Sequence, residues 1–132
     1  MKILIVDDSL SWRDFHKNTL EEIFSDCGMN VETEFASSGA EGLRLAEENL
    51  NAPFDLIISD LQMEEDFYPK YAGEWFIERI KEINAYKNTK IIISSGCSDI
   101  KHIAQRLSVD CIPKRTAVTD IDFYKSKLSS RI

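Results

Sequence analysis

The chain has 132 residues, of which 43% are hydrophobic and 30% charged, with a formal net charge of −7. That length suits one domain over residues 1–132, and the acidic balance argues against nucleic acid or an anionic membrane surface as a direct partner. No apolar run reaches membrane-spanning length and the start lacks the pattern of a signal peptide, so a cytoplasmic location is expected.

Residues 2–6 read as a first strand, apolar on both faces. A helix follows over 10–27, with Trp12, Thr19, Leu20, Ile23 and Cys27 on one side at helical spacing. Val31, Thr33 and Phe35 alternate with Glu32 and Glu34, the pattern of a half-exposed strand. Ser38 to Glu41 form a capping-box signature that opens a second helix carrying Leu43, Ala46 and Leu50. A third strand covers 55–59, and a third helix follows with Phe76, Ile77, Ile80 and Ile83 inward. The run "KIIISSG" is a fourth strand, and Ser98 is positioned to cap a short fourth helix bearing Ile100, Ile103 and Leu107. "VDCI" reads as a short fifth strand, and Thr119 to Asp122 as the cap of a last helix whose stripe is Ile121, Tyr124 and Leu128.

Alternating strands and helices imply an α/β fold with a parallel sheet covered on both faces. Strands one, three and four are apolar throughout and belong in the middle, whereas strand two is charged and strand five short, which suits edges. The doubly wound order 2-1-3-4-5 meets these conditions. The three cysteines, Cys27, Cys97 and Cys111, lack paired zinc spacing and read as free thiols, with Cys27 and Cys111 buried as small hydrophobes.

In such sheets, ligands sit beyond the carboxyl ends of the strands. Asp7 and Asp8 end strand one, and Asp60 ends the neighbouring strand three. Two carboxylates ~4 Å apart repel by about 4 kcal/mol at an effective dielectric near 20, a cost that a divalent cation would offset. Mg2+ fits, since it accepts a few carboxylates and bridges to phosphate oxygens. Ser94 and Ser95 end strand four, either hydroxyl suiting a phosphoryl oxygen, and Lys114 follows strand five with a point charge for phosphate. This set suits in-line transfer of a phosphoryl group onto a carboxylate.

"ILIVDDS", "DLIISDLQM", "IIISSG" and "CIPK", in this order, resemble the signature blocks of the two-component response-regulator receiver domain, a flavodoxin-like fold. The resemblance implies Asp60 as phosphoacceptor, Asp8 as a direct Mg2+ ligand, Asp7 as a ligand through water and the Gln62 backbone carbonyl as a further ligand. It also implies Ser95, which precedes the small Gly96, as the switch hydroxyl and Lys114 as the phosphate-pairing lysine. The implied donor is a sensor histidine kinase or a histidine phosphotransfer protein. The implied responsive face is the fourth helix, fifth strand and last helix, roughly residues 98–128, a surface also open to homodimerisation.

Three local features depart from the family pattern. Lys114 is followed by Arg115 where the family usually has proline, Cys111 stands where an aromatic is common, and "EEDFYPKYAG" delays Gly73 after Asp60. In an extended segment Lys114 and Arg115 would point opposite ways, and Lys114 is expected to face the pocket. The loop reads as solvated, with its aromatics folded on helix three; a lid or docking loop is the sharper reading. His16 is expected to be a packed, hydrogen-bonded residue and His102 a surface one, with Trp75 and Phe123 off the apolar sides of their helices. With no sequence after the last helix for an output module, a stand-alone phosphoacceptor switch and not an enzyme is expected. A haloacid-dehalogenase-type phosphatase would need an acid where Gln62 stands, and a receiver-like module without phosphorylation is the other alternative.

Overall fold

The computed structural model describes residues 1–63 and 71–129. Its elements in chain order are β1 (Lys2–Val6), α1 (Leu10–Asp26), β2 (Glu32–Ala36), α2 (Gly39–Glu48), β3 (Leu56–Ser59) and α3 (Ala72–Lys81), then a 3-10 turn (Asn84–Tyr86), β4 (Lys90–Ile93), α4 (Ile100–Leu107), β5 (Asp110–Cys111), α5 (Lys114–Thr119) and α6 (Ile121–Ser126). The five strands are parallel in the order β2-β1-β3-β4-β5, the doubly wound order expected.

Alternation along the central strands feeds two cores. Leu4, Val6, Ile57, Ile91 and Ile93 face α2, α3 and α4, meeting Ala46, Phe76, Ile80 and Ile103. Ile3, Ile5, Leu56, Ile58 and Ile92 face the other way, onto Leu20 and Phe24 of α1, Ala117 of α5 and Tyr124 of α6. Strands buried on both sides have no polar face to offer, which is why β1, β3 and β4 read as continuous apolar runs. Side chains set the starts of the first two helices: Ser9 caps α1 by accepting the Trp12 N–H, and Ser38 caps α2 by accepting the Glu41 N–H.

Several local expectations are corrected. The segment after β5 is not extended: Pro113, with φ −55°, turns the chain into α5 at Lys114. Asp120, not Thr119, caps the last helix by accepting the Phe123 N–H, and Ile121 is 51% exposed while Tyr124 and Leu128 are buried. Asp99, not Ser98, stands at the start of α4. Cys27 is exposed and Cys111 only partly buried, whereas Cys97 is buried. Leu50 lies past the end of α2 and is exposed. Trp75 and Phe123 pack partly buried against the two cores, so neither is a lone surface aromatic. Among the described residues, no helix is long and apolar enough to cross a membrane.

Candidate functional site

Parallel register gathers the chemical groups at one edge of the sheet. Val6 pairs with Ser59, so the next residues, Asp7 and Asp60, stand side by side, and the Asp60 N–H donates to the Val6 carbonyl at 2.9 Å. The Ser94 N–H donates to the Ser59 carbonyl at 2.9 Å, which places the end of β4 next in line. The Ile112 N–H bonds the Ile93 carbonyl and the Lys114 N–H bonds the Ser95 carbonyl, carrying the lysine to the same edge. Backbone bonds of the sheet and its first loop residues therefore position every one of these groups.

Asp7, Asp8 and Asp60 each offer a carboxylate oxygen, all within 4.8 Å of one another. Asp7 and Asp60 are buried and Asp8 reaches solvent. At that spacing each pair repels by roughly 3–4 kcal/mol at an effective dielectric of about 20. Lys114 answers part of this charge. Its Nζ donates to Asp60 Oδ2 at 2.8 Å and forms an ion pair with Asp7 Oδ2 at 3.1 Å. Burial alone would lower the affinity of Lys114 for its proton; the hydrogen bond and charge of Asp60, with the charge of Asp7, outweigh it and raise the ammonium above its ordinary range. Burial pushes the Asp7 carboxyl up, and the neighbouring Asp60 charge adds to this against the pull of the Ser9 N–H and Lys114.

Three carboxylates meet at one edge of the sheet, and the Lys114 ammonium pairs with two of them, Asp7 and Asp60. Asp7 Oδ2 is buried, with that ammonium 3.1 Å away. Hard oxygen donors from three clustered acids fit a divalent cation. The other oxygens of the two buried acids accept backbone groups: Asp7 Oδ1 accepts the Ser9 N–H at 2.9 Å, and Asp60 Oδ1 accepts the Leu61 and Gln62 N–H groups at 2.7 and 3.3 Å.

A family model described as the response regulator receiver domain matches residues 3–122. The chain belongs to that family. Receiver domains are signalling switches, not enzymes in the ordinary sense, and they interact with histidine kinases or phosphotransfer proteins. The chemotaxis response regulator CheY4 of Vibrio cholerae is 30% identical, with 89% of this chain and 92% of that one covered at a TM-score of 0.65. The response regulatory domain of mrkE from Klebsiella pneumoniae (16% identity, 98% and 97% covered, TM-score 0.74) and the phosphorylated cyanobacterial phytochrome response regulator RcpA (22%, 97% and 91%, 0.70) share the fold. No curated protein matches the chain.

Within this receiver domain the departures take definite forms. Lys114 faces the acids and Arg115 is exposed, but helical turning between successive residues separates them, not strand alternation. The Ser95 hydroxyl accepts the Cys97 N–H at 3.2 Å, whereas the Ser94 hydroxyl is buried and has no hydrogen-bond partner among the described residues. Cys97 in turn gives its thiol to the Tyr71 hydroxyl at 3.5 Å, so an aromatic from the start of α3 reaches the β4–α4 loop. Most of the unusual loop, residues 64–70, lies outside the described residues, so neither reading of it is addressed. His16 is packed as expected, its Nδ1 2.8 Å from the Tyr124 hydroxyl, and His102 is exposed.

Two site residues escaped sequence reasoning. Gly73 lies against the Asp60 backbone so closely that a Cβ there would sit 2.0 Å from the Asp60 carbonyl oxygen. Its signal was the family position it fills despite arriving late. Trp12 presents its ring 4.9 Å from Lys114 Nζ. It carried no separate signal, because an apolar stripe hides a residue with a second task.

Proposed function

We propose that this receiver domain, residues 1–132, is a phosphoacceptor switch of a two-component system that takes a phosphoryl group onto Asp60. The observation that carries the reading is the three-acid cluster closed on one side by the Lys114 ammonium. An Asp60 carboxylate oxygen attacks the phosphorus of a phosphohistidine on a sensor kinase or phosphotransfer protein. The O–P bond forms as the P–N bond breaks, and the imidazole nitrogen keeps the electron pair and takes a proton from solvent. Asp8 and Asp60, with Asp7 through water and the Gln62 carbonyl, would hold Mg2+. When bound, it offsets the carboxylate charge and draws in the phosphoryl oxygens. Lys114 pairs with a phosphoryl oxygen on the other side, and Ser95 gives its hydroxyl to another, releasing the Cys97 N–H.

Output then passes through α4, β5 and the helices after it, to a protein target or to a second copy of the chain, in the cytoplasm. Incubation with acetyl phosphate and Mg2+, followed by tandem mass spectrometry, tests the reading. One phosphoryl adduct on Asp60 is expected, lost on chelation of Mg2+ and in Asp60→Asn. Turnover of small phosphate esters would favour a phosphatase, and no adduct at all an interaction module.

A further inference from the structure

Among the described residues, the Lys114 ammonium meets three neighbours: Asp60 Oδ2 at 2.8 Å, Asp7 Oδ2 at 3.1 Å and the Trp12 ring at 4.9 Å. Two of the three are carboxylates that a divalent cation would also use. A cation at those oxygens weakens their hold on a second positive charge beside it. Of these three, the indole face alone attracts an ammonium without competing for a hard cation. Lys114 lacks the proline that usually follows it in the family, and it starts a helix of only six residues. Its stem is long and freely rotating, so the position of the ammonium depends on what its tip meets.

The backbone that carries the ring is fixed by the turn before it. The Trp12 backbone N–H donates to the Ser9 hydroxyl, and the Ser9 backbone N–H donates to Asp7 Oδ1, so the turn that orders Asp7 also places the Trp12 main chain. Phe15 meets the indole edge-on at 5.5 Å, and His16 lies 5.9 Å away, held by its hydrogen bond to the fully buried Tyr124. The aromatic floor thus ties α1 to α6 directly beneath the lysine.

From this arrangement we infer that Trp12 is a positioning residue: its indole face keeps the Lys114 ammonium beside Asp60 when the carboxylates are engaged by a cation. This rests on the phosphoacceptor reading above, because only there does the place of the ammonium govern a reaction.

Proton NMR and phosphorylation kinetics test it together. With the Lys114 Nζ held over the ring, the neighbouring Cε protons should resonate upfield, with Mg2+ as without it. Trp12→Leu should remove that shift and slow labelling by acetyl phosphate at saturating Mg2+ by about two- to thirty-fold, the range that an ammonium over an aromatic face commands. Trp12→Phe, which restores a ring face, should recover most of the rate. In a Lys114→Met background, Trp12→Leu should change the rate no further. The inference is overturned if the wild type shows no upfield shift, if Trp12→Leu labels at the wild-type rate, or if it slows labelling equally without the lysine, which would mark a merely structural role. A wild type that shows the shift but takes up no phosphoryl group refutes the phosphoacceptor reading, and the positioning role falls with it.

Discussion

Asp60 is held by its backbone as well as by its side chain. Its N–H is tied to β1, and its carbonyl lies under Gly73, where a Cβ would come within 2.0 Å of the oxygen and 2.7 Å of the Leu61 Cα. Neither contact is the loose end of a side chain, so neither can swing aside. Gly73→Ala must therefore push the start of α3 away from the end of β3. Overpacking of this kind costs about 1–3 kcal/mol. The expected outcome is a lower urea midpoint together with slower phosphoryl uptake by Asp60; unchanged labelling would show that α3 moves without disturbing the acid. At this scale the acids were legible because strand ends are where a parallel sheet delivers its polar groups, and Asp7, Asp8 and Asp60 interrupt apolar runs. Gly73 and Trp12 were not, because what they touch lies far along the chain, and neither residue type announces a site by itself.

Elements were legible where burial is two-sided or periodic. β1, β3 and β4 carry unbroken apolar runs, and α2 and α3 carry stripes. The failures cluster after β5, where α5 has six residues and buries only Ala117, so no stripe exists to detect. The break between α5 and α6 follows from Asp120, whose side chain satisfies the Phe123 N–H and starts a new helix in place of continuing the old one. Helix α4 ends differently, with Ser108 in the left-handed conformation at φ 57°, one turn past Ala104. A side chain there pays for a conformation that glycine adopts without penalty. Ser108→Gly should raise stability by up to about 1 kcal/mol, read as a higher urea midpoint with an unchanged slope. Because α4 is also joined to α3 by the Arg106–Glu74 ion pair, the gain should appear as slower amide exchange in α4 as well. A neutral or destabilising result would mean that the backbone at 108 is not left-handed in solution.

At the scale of the molecule, the sheet separates the core under α2, α3 and α4 from the core under α1, α5 and α6. The site at its edge draws on both: Ser95 and Cys97 connect it to Tyr71 and α4, and Lys114 connects it to Trp12, His16 and α6. In the second of these cores His16 is buried against the Tyr124 hydroxyl. Burial holds His16 neutral, and the Lys114 charge adds to this, pulling its pKa from 6.5 down to about 3. Between those values the unfolded chain takes up a proton that the native protein refuses. Its contribution is therefore complete above pH 6.5 and is lost as the pH falls toward 3. Between pH 7.5 and 5.5 this amounts to about 1.4 kcal/mol. Urea unfolding at the two pH values should show that loss in the wild type, over and above the change in His16→Gln. The carboxylates titrate in both proteins and cancel in the difference. Equal pH dependence in the two would mean that His16 reaches solvent, and that the aromatic floor under Lys114 is not closed.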